Sequence, residues 1–200
     1  MISRLVTRIS FSLAAVLALA ATPVSGLAHS DTQLSLSLAV EPEARAFSES
    51  EVLSKVHLLD LSEIFAGRLG AARGMKAEVK DYGKMLLADH RKHDTELHAL
   101  AQQRSASLLQ VVPVEQWERE GFLKQSAALK ELLTLRGCAF DMKYLDTMIE
   151  AHMFGIELIN RNLQFVANTP SADFLNATLP VLQAHLDHAK MLKEGLSCAD

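Results

Sequence analysis

The chain has 200 residues, with 20 lysines and arginines against 24 acids, eight histidines and 49% hydrophobic residues. That is enough apolar material for one well-packed domain, and the slight negative charge, spread without a basic patch, excludes nucleic acid as a partner. Two cysteines with no Cys-x-x-Cys-His run exclude a c-type haem.

Residues 1–28 have the pattern of a signal peptide. Arg4 and Arg8 precede an apolar run over residues 9–21, and Gly26-Leu27-Ala28 offers small residues where a signal peptidase reads. The run is too short to span a bilayer and no comparable one follows. The expectation is export, cleavage after Ala28 and a periplasmic protein with no transmembrane segment. No cysteine lies near the cut, which argues against a lipoprotein anchor, and nothing here makes a membrane barrel. Removing residues 1–28 takes away two arginines and no acids, leaving 18 basic against 24 acidic residues and a formal charge of −6. Residues 29–48 are polar and contain Pro42, and they read as a flexible N-terminal arm. The alternation Leu34-Ser35-Leu36-Ser37-Leu38 leaves an edge strand as the other reading, and a new N-terminal His29 offers an amine and a ring to copper.

The helical domain, residues 49–197, opens where Ser48 and Glu51 form a capping-box pattern. Val52, Val56, Leu59, Glu63, Ala66 and Gly70 follow at steps of three and four, and Gly74 supplies the stop. A second helix over residues 75–105 carries Val79, Tyr82, Leu86, His90, His93, Leu97 and Leu100 on one side, with His98 at its edge. After a connector at residues 108–113 comes an amphipathic piece with Trp117, Leu123, Leu129, Leu132 and Leu133, broken at Gly137. The next helix, residues 138–167, runs through Leu145, Met148, His152, Ile156, Ile159, Leu163 and Val166. A turn at residues 168–171 leads, with Ser171 as cap, into a last helix to about residue 196, which Pro180 kinks or restarts with Thr178 as cap. Five helical segments without a clear strand predict an all-α bundle.

Three stretches share one pattern. Leu86-Leu87-Ala88-Asp89-His90, Met148-Ile149-Glu150-Ala151-His152 and Val181-Leu182-Gln183-Ala184-His185 each place two aliphatic residues three and four positions before a histidine. On a helix this lays the imidazole over an apolar shelf, half buried. At about 1.5 Å of rise per residue, His90 stands roughly 24 Å above the first turn, and His152 and His185 face each other at matching height. Glu63 lies one to two turns below His90, within reach of a long side chain. One carboxylate and three imidazoles therefore converge inside the bundle, with Asp89 and Glu150 as supporting partners or extra ligands. His93 and His188 read as boundary residues satisfied by solvent. The same bookkeeping brings Cys138 and Cys198 to one end of the last hairpin, where a disulfide is expected in an exported protein. Unpaired thiols at frayed ends are the alternative.

The run Glu63-Ile64, Gly67, Leu69, Val79-Lys80-Asp81-Tyr82, Met85 and Asp89-His90, then Phe140-Asp141, Tyr144, Met148 and His152, then Thr178-Leu179-Pro180 and His185-Leu186, resembles an exported bacterial family. That family is domain of unknown function 4142, whose members are often labelled outer membrane proteins and grouped with ferritin-like folds. The resemblance covers residues 50–196 and implies a ferritin-like four-helix bundle with an extra helical segment between the second and third core helices. It marks Glu63, Asp89, His90, His152 and His185, and it supplies no activity. Where many members read Asp-His on the third core helix, this chain has Ala151 before His152.

Two functional classes remain open. In one, the cluster binds one divalent transition metal ion; histidine-rich sites with one acid suit zinc, copper, nickel or iron. A ferritin di-iron centre needs Glu-x-x-His motifs, which the second, third and fourth core helices lack, so iron storage is not the reading. In the other, the protein is a metal-free structural or stress-related interaction module whose buried network fixes helix register and responds to pH. Residues 114–133, with Trp117 and Phe122, would then offer a face to a protein partner. No serine or cysteine stands beside the cluster to make a catalytic triad, and the oligomeric state is not written in the sequence.

Overall fold

Apolar residues recurring every three or four positions drive each long segment into a helix, because only that period gathers them on one face. The computed structural model describes residues 41–108 and 115–198, with side chains from residue 49 onward. It contains α1 (Glu41–Arg73), α2 (Ala77–Gln103), α3 (Gln116–Leu132), α4 (Gly137–Asn162) and α5 (Pro170–Gly195), with a 3₁₀ turn at Leu163–Val166 closing α4. The signal-peptide reading, residues 29–40 of the arm and most of the connector fall outside the described residues.

Several ends differ from those read in the sequence. Helix α1 begins at Glu41, seven residues before Ser48, because Pro42 falls in the first turn, where its missing N–H costs no hydrogen bond. Ser48 thus lies inside the helix rather than at its start. Helix α5 starts one residue before Ser171: Thr169 is its cap, accepting from the Ala172 N–H at 3.3 Å, while the Ser171 hydroxyl bonds Glu49 at 2.5 Å. Pro180 lies within a helix that continues to Gly195, and Thr178 is no cap: its hydroxyl donates to the Phe174 carbonyl one turn back, at 2.9 Å.

Two apolar cores occupy the ends of the bundle. The first joins Val52, Leu53 and Val56 to Leu97, Ile159 and Leu175; the second joins Ala66 to Tyr82, Leu86, Phe140, Tyr144 and Met148. Following them in sequence, α1 and α5 run from the first core to the second, and α2 and α4 run back. Parallel α2 and α4 require a crossover, which α3 supplies: Glu118 near its start joins buried Lys55 (2.8 Å) and Asn162 (3.1 Å), and Leu132 at its end enters the second core. Between the two cores is a polar layer to which all four long helices contribute.

Local devices fix the height of that layer. A Cβ on Gly67 would stand 2.7 Å from the Leu87 nitrogen and one on Gly83 2.4 Å from the Ala71 nitrogen, so α1 and α2 touch backbone to backbone only because both are glycine. Fully buried Asp141 of α4 accepts the Met75 and Lys76 N–H groups, each at 2.8 Å, and so caps the start of α2 from outside it. Cys138 and Cys198 form a disulfide with Cα atoms 5.8 Å apart, joining the start of α4 to the end of α5. Among the described residues no helix is long and apolar enough to cross a membrane.

Candidate metal centre

Each helix brings its polar residue to mid-bundle in a way its neighbours dictate. On α2, Leu86 is fully buried one turn before His90; on α4, Met148 holds the same place before His152; on α5, Leu182 lies beneath His185. The other shelf residues, Leu87, Ile149 and Val181, are half-buried or exposed, so at each station only one of the two apolar residues belongs to the buried interior.

The three rings meet. Their centroids are 5.3 to 5.9 Å apart, and one ring nitrogen from each lies within 4.8 Å of the other two. Glu63 is outside that set, but its Oε1 is 4.0 Å from His152 Nδ1. A cavity of about 20 Å³ borders Glu63, His90 and His152, with Asp60, His93 and Thr178 also in its wall. A void of that size takes one water or one ion.

Hydrogen bonds orient every ring. His152 Nδ1 donates to the Met148 carbonyl at 2.8 Å, so the neutral ring carries its lone pair on Nε2. His185 Nε2 is 3.0 Å from Asp89 Oδ2 and donates there, leaving the lone pair on Nδ1. His90 Nδ1 bonds Asp60 Oδ1 at 2.9 Å, which turns Nε2 inward. The atoms left over are Glu63 Oε2, His90 Nε2, His152 Nε2 and His185 Nδ1, all buried and without a hydrogen-bond partner. Each is an atom of a type that can ligate a metal, and each imidazole has an acceptor behind it, the arrangement that fixes the tautomer of ligating histidines.

Electrostatics set the rings apart. Burial, reinforced by the field of His90, pulls His152 down to about 3, and burial with the field of His152 pulls His185 to about 4, so both are neutral at neutral pH. Burial also pulls on His90, but the Asp60 hydrogen bond and the fields of Glu63, Asp60 and Asp89 outweigh it and raise its value. Asp60 is lowered, because hydrogen bonds from His90 and His93 overcome its burial. Glu63 is pushed up to about 6 by burial, against the fields of His90 and His185. Three imidazoles and a carboxylate with two neutral rings would accept one divalent ion, which would displace protons from the remaining groups.

Of the residues singled out in the sequence, His90, His152 and His185 come together, Glu63 stands beside them, and Asp89 supports His185. Glu150 does not join: two residues before His152 it points to the opposite side of α4, where it is exposed and pairs with Lys124 at 3.2 Å. His93 is not left to solvent, since its Nδ1 bonds Asp60 Oδ2 at 2.7 Å, its Nε2 meets the Thr178 hydroxyl at 2.8 Å, and its ring stacks on Phe174. Half-buried His188 packs its ring edge-on against Tyr82. Trp117 and Phe122 pack on Phe154 of α4.

Asp60 was missed. It is 2% exposed and anchors both α2 histidines, and its spacing, four residues after Val56 and three before Glu63, was the available signal.

A bundle with two parallel middle helices, a crossover segment and a mid-level histidine and carboxylate cluster is a ferritin-like helical protein. The chain belongs to the family described as Domain of unknown function (DUF4142), whose sequence profile matches residues 35–192. Among solved structures it is similar to a DUF305 fragment from Deinococcus radiodurans, with a TM-score of 0.64 and 11% identity over 74% of this chain and 97% of that one. At that identity the likeness concerns the fold alone. No curated protein matches the chain.

Proposed function

We propose that this protein binds one divalent transition metal ion in the exported compartment, with His90, His152 and His185 as ligands and Glu63 as the fourth. The observation that carries this reading is the set of four buried atoms without partners: Glu63, His90 and His152 wall one void, and His185 brings a ring nitrogen within 4.8 Å of those of the other two histidines. Leaving four such atoms empty in an apolar interior costs free energy that an ion recovers. The donor set suits zinc, copper, nickel or iron in a mononuclear site, and its single carboxylate is too few for di-iron chemistry. Export is supported by the residues 1–28 pattern and by the disulfide, which persists in oxidising compartments.

A second reading has one observation in its favour. The chain Thr178–His93–Asp60–His90 is complete without an ion and ties α5, α2 and α1 together. As a structural module the bundle would use these bonds to set register and would bind nothing. Thermal unfolding separates the two readings. Chelator-stripped protein reloaded with Zn(II) should melt higher, and His152→Ala should diminish that gain; a stripped protein that melts where the reloaded one does favours the structural module. Fractionation of the source cells with N-terminal sequencing should find a periplasmic chain starting at His29, whereas a chain starting at Met1 contradicts export.

A further inference from the structure

A second group of ligating side chains lies on the surface of the α1–α2 pair, outside the buried layer. Helix α1 contributes His57, and α2 contributes Asp94 and His98, four residues apart and therefore one above the other on the same face. His57 Nδ1 is 2.5 Å from Asp94 Oδ1, His98 Nε2 is 3.8 Å from Asp94 Oδ2, and the two imidazole rings stand edge to face with centroids 4.9 Å apart. One donor atom from each of the three lies within 4.8 Å of the others.

We propose that His57, Asp94 and His98 form a second, solvent-open site for a divalent transition metal ion, distinct from the buried cluster. Three features carry it. The donors sit on α1 and α2, two helices that pack extensively against each other, so each donor's backbone is held within one helix pair. Among the described residues Asp94 pairs with no lysine or arginine, only with the two imidazoles, so an ion can take the position between ring and carboxylate that a proton now occupies. Exposure is graded: His57 and Asp94 side chains are each 17% exposed and His98 is 51%, which leaves one side walled by protein and the other open to water ligands. An ion bonded at 2.0–2.1 Å holds tetrahedral ligands about 3.4 Å apart, and exposed His98 has the rotamer freedom to close that gap. Two imidazoles and a carboxylate with open positions suit zinc, copper, nickel or iron, and the water-filled half makes the ion exchangeable.

Adjacent residues on α2 serve the two clusters separately. His93 turns to Asp60 and Thr178, and Asp94 turns to His57. The surface site therefore does not need the buried one to be occupied.

The test is equilibrium dialysis of the stripped protein against Zn(II) at neutral pH, with elemental analysis, for wild type, His98→Ala and His152→Ala. The proposal expects two ions in wild type and one in each variant. His98 contributes no core packing, so its variant keeps the fold, and a wild-type count in His98→Ala overturns the surface site. A single ion lost in His152→Ala but kept in His98→Ala also overturns it and leaves the buried reading intact. The reverse pattern, one ion lost only in His98→Ala, supports the surface site and removes the buried one. Ring signals of His57 and His98 should shift together on Zn(II) addition, in His152→Ala as in wild type; unshifted rings overturn direct ligation.

Discussion

Asp60 decides how the polar layer behaves at the residue scale. Both carboxylate oxygens are taken by histidines on α2, inside the bundle. Asp60→Asn keeps the shape but removes the charge opposite His90, and breaking a buried pair in this way typically costs about 3–5 kcal/mol. Urea denaturation should show a loss of about that size, and the His90 ring should titrate lower than in wild type. The pH dependence of the metal-free protein follows from the same layer. His152, held at about 3, and His185, at about 4, have ordinary values of 6.5, so the unfolded chain takes up protons first as pH falls. Their contribution is complete above pH 6.5 and is lost on acidification, at about 1.4 kcal/mol per pH unit for His152. Glu63 acts in the opposite sense: raised from 4.5 to about 6, it favours the folded state below pH 4.5 and loses that contribution as pH rises through 6. The two histidines have the wider span, so stability measured by urea titration should fall between pH 6 and pH 4. A flat or rising profile over that window contradicts buried neutral rings.

Helix by helix, the contacts that set register are small residues and caps. Gly83→Ala gains up to about 1 kcal/mol of helix propensity but forces a methyl group against the α1 backbone, where overpacking costs about 1–3 kcal/mol. A lower melting temperature is the expected net result; a higher one would show that α1 and α2 can separate freely. Loss of the disulfide by Cys138→Ser with Cys198→Ser opens a loop across 60 residues and should cost about 4 kcal/mol. The helices themselves were legible because the apolar period is strong from Val79 to Leu97 and from Leu145 to Ile159. Helix α1 was harder to read. It has α2, α3 and α4 around it, so residues 52–56 are buried on every side and a single stripe underestimates the inward face. That is why Leu59 was assigned to the core while its neighbour Asp60, equally buried, was passed over. The cap of α5 was misplaced by two residues for a different reason: Thr169 and Ser171 are equivalent caps in sequence, and only Glu49 across the bundle claims the second hydroxyl.

Across the whole molecule, two apolar cores are separated by one polar layer, and the layer carries the functional claim. Burying charged and polar groups at the centre of a bundle is costly unless each finds a partner. Asp60, His93 and Thr178 find theirs within the protein; Glu63, His90, His152 and His185 each keep one buried atom unpaired. The convergence of three histidines was readable from rise per residue, since equal distances from the turns place them at one height. The acceptors behind the rings were not readable, because Asp89 serves His185 on another helix rather than His90 beside it. The same division explains why Glu150 dropped out: being near a ligand in sequence says nothing about which side of the helix a residue faces.

The most direct measurement is elemental analysis of the protein purified from its native compartment without an affinity tag, alongside His152→Ala. The account predicts a divalent transition metal in the wild type at no less than one per chain, and one ion fewer per chain in the variant. Wild-type protein that is folded and free of transition metal, with a variant that is merely less stable, would contradict it and leave the histidines as a structural network.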